Sequence, residues 1–152
     1  MAQPLTFWRL AASGFGAGYA PRAPGTAGSL VGLALGALLL AAGHLPLLFA
    51  CVVVTGVGIY AVSTLPEATL DPGWVVIDEI AGQMIVLLGL PHVSFAGLAL
   101  AFALFRLFDI LKPGPVGWVD ARHDAYGVMG DDVVAGGMGL VVILVASAVV
   151  RL

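Results

Sequence analysis

Charge is what this sequence has least of. Only 10% of its 152 residues are charged and 61% are hydrophobic, whereas about a quarter of the residues in an ordinary soluble domain are charged. With a mean hydropathy of +1.08 the chain belongs in a bilayer. Basic residues are scarce: six Lys and Arg with a formal net charge of -3 exclude the footprint of a nucleic-acid-binding protein, and no polybasic tract is present. Cysteine is nearly absent. Cys51 stands alone inside the apolar run Leu47 to Val54, can form no internal disulfide and reads as a small packing residue. Met1 to Ser13 lacks the basic head, apolar middle and small-residue cleavage site of a signal peptide, so no removal is expected. No internal repeat appears, and the length suits one compact domain over residues 1–152.

What is present is a series of apolar segments punctuated by Gly and Pro. Pro4 to Ser13 reads as a short helix at the membrane interface, with Phe7 and Trp8 at headgroup depth. Pro21 and Pro24 prevent one regular helix from Phe7 to Gly28. Apolar helices are expected over Ser29 to Gly43, Leu45 to Leu65, Trp74 to Leu90, Ser94 to Leu111 and Val133 to Val150. The fold class is thus all-α, a polytopic membrane bundle of about five crossings plus the short N-terminal interfacial helix. Gly136, Gly137 and Gly139 suit close helix packing in the last span.

Tracing those crossings brings the charges together. The turns at His44 and His92 are short and formally neutral, while every charge except Arg151 falls on the opposite face. Arg9, Arg22, Arg106, Lys112 and Arg122 share that face, which the positive-inside rule makes cytoplasmic.

At that rim the polar residues form a pattern. Arg106, Asp109 and Lys112 step three residues at a time along one side of a helix that Pro113 and Pro115 terminate. Taken alone, this also fits an ordinary helix end whose cations answer the macrodipole. Asp78 and Glu79 lie in an apolar segment, where carboxylates usually face the interior. Asp131 and Asp132 precede Val133 and equally fit helix N-terminal charge. Collected at one depth, Asp78, Glu79, Asp109, Asp131 and Asp132 need a counter-charge. With oxygen the only ligand type on offer, the expected ion is hard, Mg2+ before Mn2+. Arg106 and Lys112 add fixed positive charge suited to a phosphate. The small residues from Pro24 to Ser29, with Thr26 and Ser29 and with Arg22 just before them, are placed to offer backbone N–H groups to a phosphate; they fit a capped glycine-rich turn as well. Metal, carboxylates, cations and a glycine-rich loop at the headgroup level suggest phosphoester chemistry on a lipid.

Four blocks in order resemble the phosphatidylglycerophosphatase A family. They are Pro24-Gly25-Thr26-Ala27-Gly28-Ser29, Val76-Ile77-Asp78-Glu79-Ile80-Ala81-Gly82-Gln83, Phe105-Arg106-Leu107-Phe108-Asp109-Ile110-Leu111-Lys112-Pro113, and Gly127-Val128-Met129-Gly130-Asp131-Asp132-Val133-Val134-Ala135-Gly136. The resemblance implies an all-helical inner-membrane enzyme, Mg2+-dependent, that converts phosphatidylglycerophosphate to phosphatidylglycerol. It implies an acidic site of Asp78, Glu79, Asp109, Asp131 and Asp132, with Arg106 and Lys112 on substrate phosphate and with Thr26, Ser29 and the backbone beside them supporting phosphate or headgroup. Val119 to Tyr126 departs from the family pattern, which tends to have glycines where Asp124, Ala125 and Tyr126 stand.

Three other classes of protein predict different patterns. A small transporter or ion-conducting subunit predicts acids spread through the bilayer depth, not bunched at one rim. A phosphotransferase on nucleotide-activated lipids predicts Asp-x-x-Asp-Gly-x-x-Ala-Arg, which is absent. A purely structural subunit leaves the ordered polar blocks without a purpose.

Overall fold

The computed structural model describes residues 6–150 and is all-helical. Seven α-helices follow one another: α1 (Phe7–Ala12), α2 (Pro24–Ala42), α3 (His44–Thr64), α4 (Ile77–Leu87), α5 (Phe95–Leu111), α6 (Pro115–Asp120) and α7 (Ala125–Val150), with 3-10 turns at Ala17–Tyr19 and Pro66–Leu70. Three of them, α2, α3 and α7, are long and apolar enough to cross a membrane. Their outward faces carry exposed Leu38, Phe49, Val52 and Val145, the composition of a lipid-facing surface. Of the about five crossings expected, three are therefore supported by helix length and composition. α5 has 17 residues and α4 only 11, a rise of about 16 Å.

That short helix is the centre of the bundle. Nine of its 11 residues are buried, and it packs chiefly against α7 and α2. Glycine makes both approaches possible. Along α2, a Cβ on Gly28 would come within 2.7 Å of Val76 Cβ, and one on Gly32 within 2.7 Å of the Ile80 carbonyl oxygen. Such small-residue stripes let backbones meet where lipid offers no hydrophobic drive.

Several boundaries differ from those read in the sequence. α4 starts at Ile77 instead of Trp74, because the Val76 N–H donates to Ala12 O (3.0 Å) and its φ of -142° is non-helical. α2 starts at Pro24, five residues before the expected Ser29, with proline in the first turn where its missing N–H costs nothing. α7 starts at Ala125, eight residues early: Asp124 Oδ1 accepts the Gly127 N–H (2.8 Å) and so caps the helix. The stretch 112–130 is not all loop, since α6 lies within it. Pro4 and Leu5 of the expected interfacial helix, and Arg151, fall outside the described residues.

Two contacts define the ends of the bundle. At one end His44 Nε2 hydrogen-bonds with Leu90 O (2.9 Å), joining the α2–α3 turn to the segment after α4. At the other, Arg9 Nη1 pairs with Glu67 (2.8 Å) and Arg9 Cζ lies 4.1 Å from the centre of the Trp74 ring, fastening α1 beside the entrance to α4.

Candidate active site

The close contact of α4 with α7 assembles the acidic cluster. A Cβ on Gly82 would sit 2.5 Å from the Asp132 carbonyl oxygen and 2.5 Å from the Phe105 ring. With the two backbones this near, one carboxylate oxygen from each of Asp78, Glu79 and Asp132 lies within 4.8 Å of the others. Asp78 and Asp132 are buried, 5% and 3% exposed, and Glu79 is half-buried. Asp78 Oδ1, Glu79 Oε2 and Asp132 Oδ1 have no hydrogen-bond partner. Each unsatisfied buried polar atom costs on the order of 1–3 kcal/mol. Three carboxylates that converge, each with an unpartnered oxygen and all hard donors, fit a divalent cation such as Mg2+.

The other two predicted acids stand beside this trio, held by cations. Asp109 accepts from Arg106 Nη1 (2.5 Å) on α5, and that guanidinium lies close to Glu79, since a Cβ on Gly25 would touch both Glu79 Oε1 and Arg106 Nη1. Asp131 accepts from Lys112 Nζ (2.8 Å), and its Oδ1 takes the Asp132 N–H (2.9 Å). Neither Asp131 nor Asp132 opens a helix as the sequence suggested; with α7 beginning at Ala125 both lie in its second turn, beyond the free N–H groups of the first. Consecutive residues diverge by about 100° on a helix, which is why Asp132 turns to α4 while Asp131 turns to Lys112.

The two cations are positioned differently. Arg106 Nη1 also donates to Ser29 Oγ (3.3 Å), linking α5 to α2 next to Gly25, where a Cβ would collide with Glu79 Oε1. Lys112 caps α5 in the left-handed conformation (φ 46°), which turns its ammonium back toward Asp131 and Asp120. Burial works against that ammonium, but its hydrogen bonds to the two aspartates outweigh it and hold the pKa above the usual lysine value.

The glycine-rich segment differs from the expected loop. Pro24 to Ser29 form the first turns of α2, and the Ser29 hydroxyl donates to the Gly25 carbonyl (2.8 Å) inside the helix. Only the first turn keeps free N–H groups. Thr26 is half-buried there, and Arg22 is exposed just before the helix with no ion pair among the described residues. His123 is exposed and lines a cavity of about 320 Å³ with Asp71, Asp120 and Arg122, outside the acidic trio.

Asp120 and Gln83 were not singled out from the sequence. Asp120 lies in the short α6 and holds Lys112. The buried amide of Gln83 stands four residues after Glu79, a helical spacing that put it on the same face.

Fold and site together define a helical membrane protein whose buried carboxylates meet fixed cations at one end of the bundle, the equipment of a lipid phosphoester enzyme. The chain belongs to the phosphatidylglycerophosphatase A family: the family model of that description matches residues 10–147. It is 40% identical to phosphatidylglycerophosphatase A of Haemophilus influenzae over 138 residues, covering 88% of this chain and 85% of that protein. It is 38% identical to phosphatidylglycerophosphatase A of Escherichia coli over 135 residues, covering 85% and 77%. A putative phosphatidylinositol-3-phosphatase of Bacteroides thetaiotaomicron is 40% identical over 163 residues, covering 99% of each. No solved structure matches significantly.

Proposed function

We propose that the protein hydrolyses the terminal phosphomonoester of phosphatidylglycerophosphate, leaving phosphatidylglycerol and inorganic phosphate, with Mg2+ held by Asp78, Glu79 and Asp132. Family membership supports the reaction. The observation that carries the site is that Asp78, Glu79 and Asp132 bring one carboxylate oxygen each within 4.8 Å of the others, and that each has a buried oxygen without a hydrogen-bond partner. The ion, when bound, lowers the pKa of a coordinated water and neutralises charge on the phosphoryl group.

The chain's own residues do the rest. Arg106 presents a planar guanidinium to the equatorial phosphoryl oxygens, steadied by Ser29 and Asp109. Asp109, beside Glu79 and Asp132, is placed to orient the attacking water. That water's oxygen bonds to phosphorus as the phosphorus–glycerol oxygen bond breaks, and the proton the water sheds is taken up by the departing glycerol oxygen. Lys112 and Asp131 form the outer edge, where an incoming phosphate can borrow the ammonium. Thr26 and Arg22 stand where the headgroup enters, and the grooves between helices receive the acyl chains.

In this reading the chain crosses the inner membrane of a bacterium about five times. The His44–Leu90 contact supports the count, because it places the end of α4 opposite its acidic start, so that α4 and α5 form a descending and returning pair. The basic residues gathered at the acidic end support a cytoplasmic active site.

The test is phosphate release from phosphatidylglycerophosphate by detergent-purified protein, with Mg2+ and then with EDTA, and from phosphatidylinositol 3-phosphate in parallel. Metal-dependent release from the first lipid is expected. Release from the inositol lipid alone would reassign the headgroup, and no release from either would defeat the enzyme reading.

A further inference from the structure

Five buried side-chain atoms among the described residues lack a hydrogen-bond partner, and two of them belong to Gln83. Its side chain is fully buried, with both Oε1 and Nε2 unpartnered. A buried amide carries two N–H donors and two acceptor lone pairs and is normally satisfied. The remaining three orphaned atoms are the carboxylate oxygens of Asp78, Glu79 and Asp132. Among the described residues, every unpartnered buried side-chain atom therefore belongs either to one stretch of α4 or to Asp132, which α4 meets at Gly82.

The helix geometry directs the amide toward those oxygens. Gln83 follows Glu79 by four residues on α4, so the two side chains share a face, about 6 Å apart along the axis. On one side α2 closes in, since a Cβ on Gly32 would lie 3.1 Å from Gln83 Cβ. On the other, Gly82 abuts the Asp132 backbone. Farther along α4 come buried Met84, Val86 and Leu87, which offer nothing polar.

We propose that Gln83 is a positioning residue for the cation site, an inference that rests on the reading of that site given above. With a cation bound, Nε2 would donate to Glu79 Oε2, a bond this structure does not make, and fix that carboxylate, while Oε1 would accept from a water. A neutral amide does this without adding a further negative charge to three carboxylates. Groups placed in this way orient the ligands of a metal and set its affinity.

The experiment compares native protein with Gln83→Met, a side chain of similar length without polar atoms, both purified in detergent and freed of metal. Mn2+ or Mg2+ is titrated and the rise in melting temperature followed, with phosphate release measured separately. Metal-free Gln83→Met should melt at or above the native temperature, because the lost amide has no partner in the protein. Its metal concentration for half the thermal shift should rise roughly 10–100-fold, with a smaller loss of kcat at saturating metal. Gln83→Asn, which draws the amide back by one methylene, should show the same weakening and serves if the Met variant does not fold. A folded variant of either kind that matches the native titration overturns the role of Gln83 alone. No thermal shift in the native protein overturns the cation site and this inference together.

Discussion

Gly82 of α4 and Gly136 of α7 meet backbone to backbone: a Cβ on Gly136 would collide with the Gly82 carbonyl oxygen. This crossing sets the distance between Asp78 and Glu79 on one helix and Asp132 on the other. Two residues without side chains thus hold the three carboxylates together.

Gly136→Val should separate the helices, cost about 1–3 kcal/mol or more, and remove activity along with stability. Gly137→Ala is the control. Nothing lies within 4 Å of a Cβ there, so the variant should keep activity and gain up to about 1 kcal/mol of helix propensity. Melting curves in detergent, paired with phosphate release, separate the two. Equal behaviour would mean that the α4–α7 contact is not tight at this point.

Asp132→Asn removes one of three unpartnered carboxylates and should lower phosphate release at least about a hundredfold. The metal-free protein should stay folded, because repulsion among buried carboxylates is relieved. Asp109→Asn should also cost orders of magnitude in turnover with the fold retained. Near-native turnover in either variant would take that residue out of the site.

Arg106→Lys keeps the charge but cannot reach Ser29 and Asp109 together with a planar group. A loss of about 10²–10³-fold in kcat is expected, with an unchanged melting temperature. If lysine substitutes fully, Arg106 acts as a point charge, and the forked contact with phosphate is wrong.

Lys112 has its pKa raised by its two aspartate partners. A raised folded-state pKa contributes stability that is fully present below the ordinary lysine value of about 10.4 and lost as pH rises through the folded value. Lys112→Met should therefore destabilise by a nearly constant amount, on the order of 1–2 kcal/mol, between about pH 7.5 and 9, where both aspartate partners are ionised. The native excess should decline only in strong alkali. A difference between native and variant that disappears near neutral pH would contradict the assignment.

His123→Ala should change stability by less than about 0.5 kcal/mol and leave turnover near native, since His123 is exposed in a side cavity. A large fall in phosphate release would bring that cavity into the reaction.

Much of the site was legible because few residues here can be anything else. A carboxylate in an apolar segment needs a partner wherever the chain goes, so Asp78, Glu79, Asp109, Asp131 and Asp132 stand out by composition alone. The i, i+3 spacing of Arg106 and Asp109 fits an ordinary helix-end pair as well as a grip on phosphate, and in the structure the two residues do pair, at 2.5 Å. The glycine-rich block was harder: Gly25 and Gly28 look like a loop in isolation, and only contact with α4 makes them, with Gly32, a packing stripe. Asp124 could have been read as the cap that starts α7 early, whereas the late start of α4 depends on Ala12, more than sixty residues away.

Composition and spacing by themselves determined that this is a helical membrane protein with its charge gathered at one end, because lipid tolerates neither unpaired backbone nor scattered charge. The tertiary structure alone decided which acids face one another. Asp78, Glu79 and Asp132 converge while Asp109 and Asp131 bond to Arg106 and Lys112. That partition depends on how closely α4 approaches α2 and α7, and closeness between distant segments is a property of packed surfaces that no local pattern encodes.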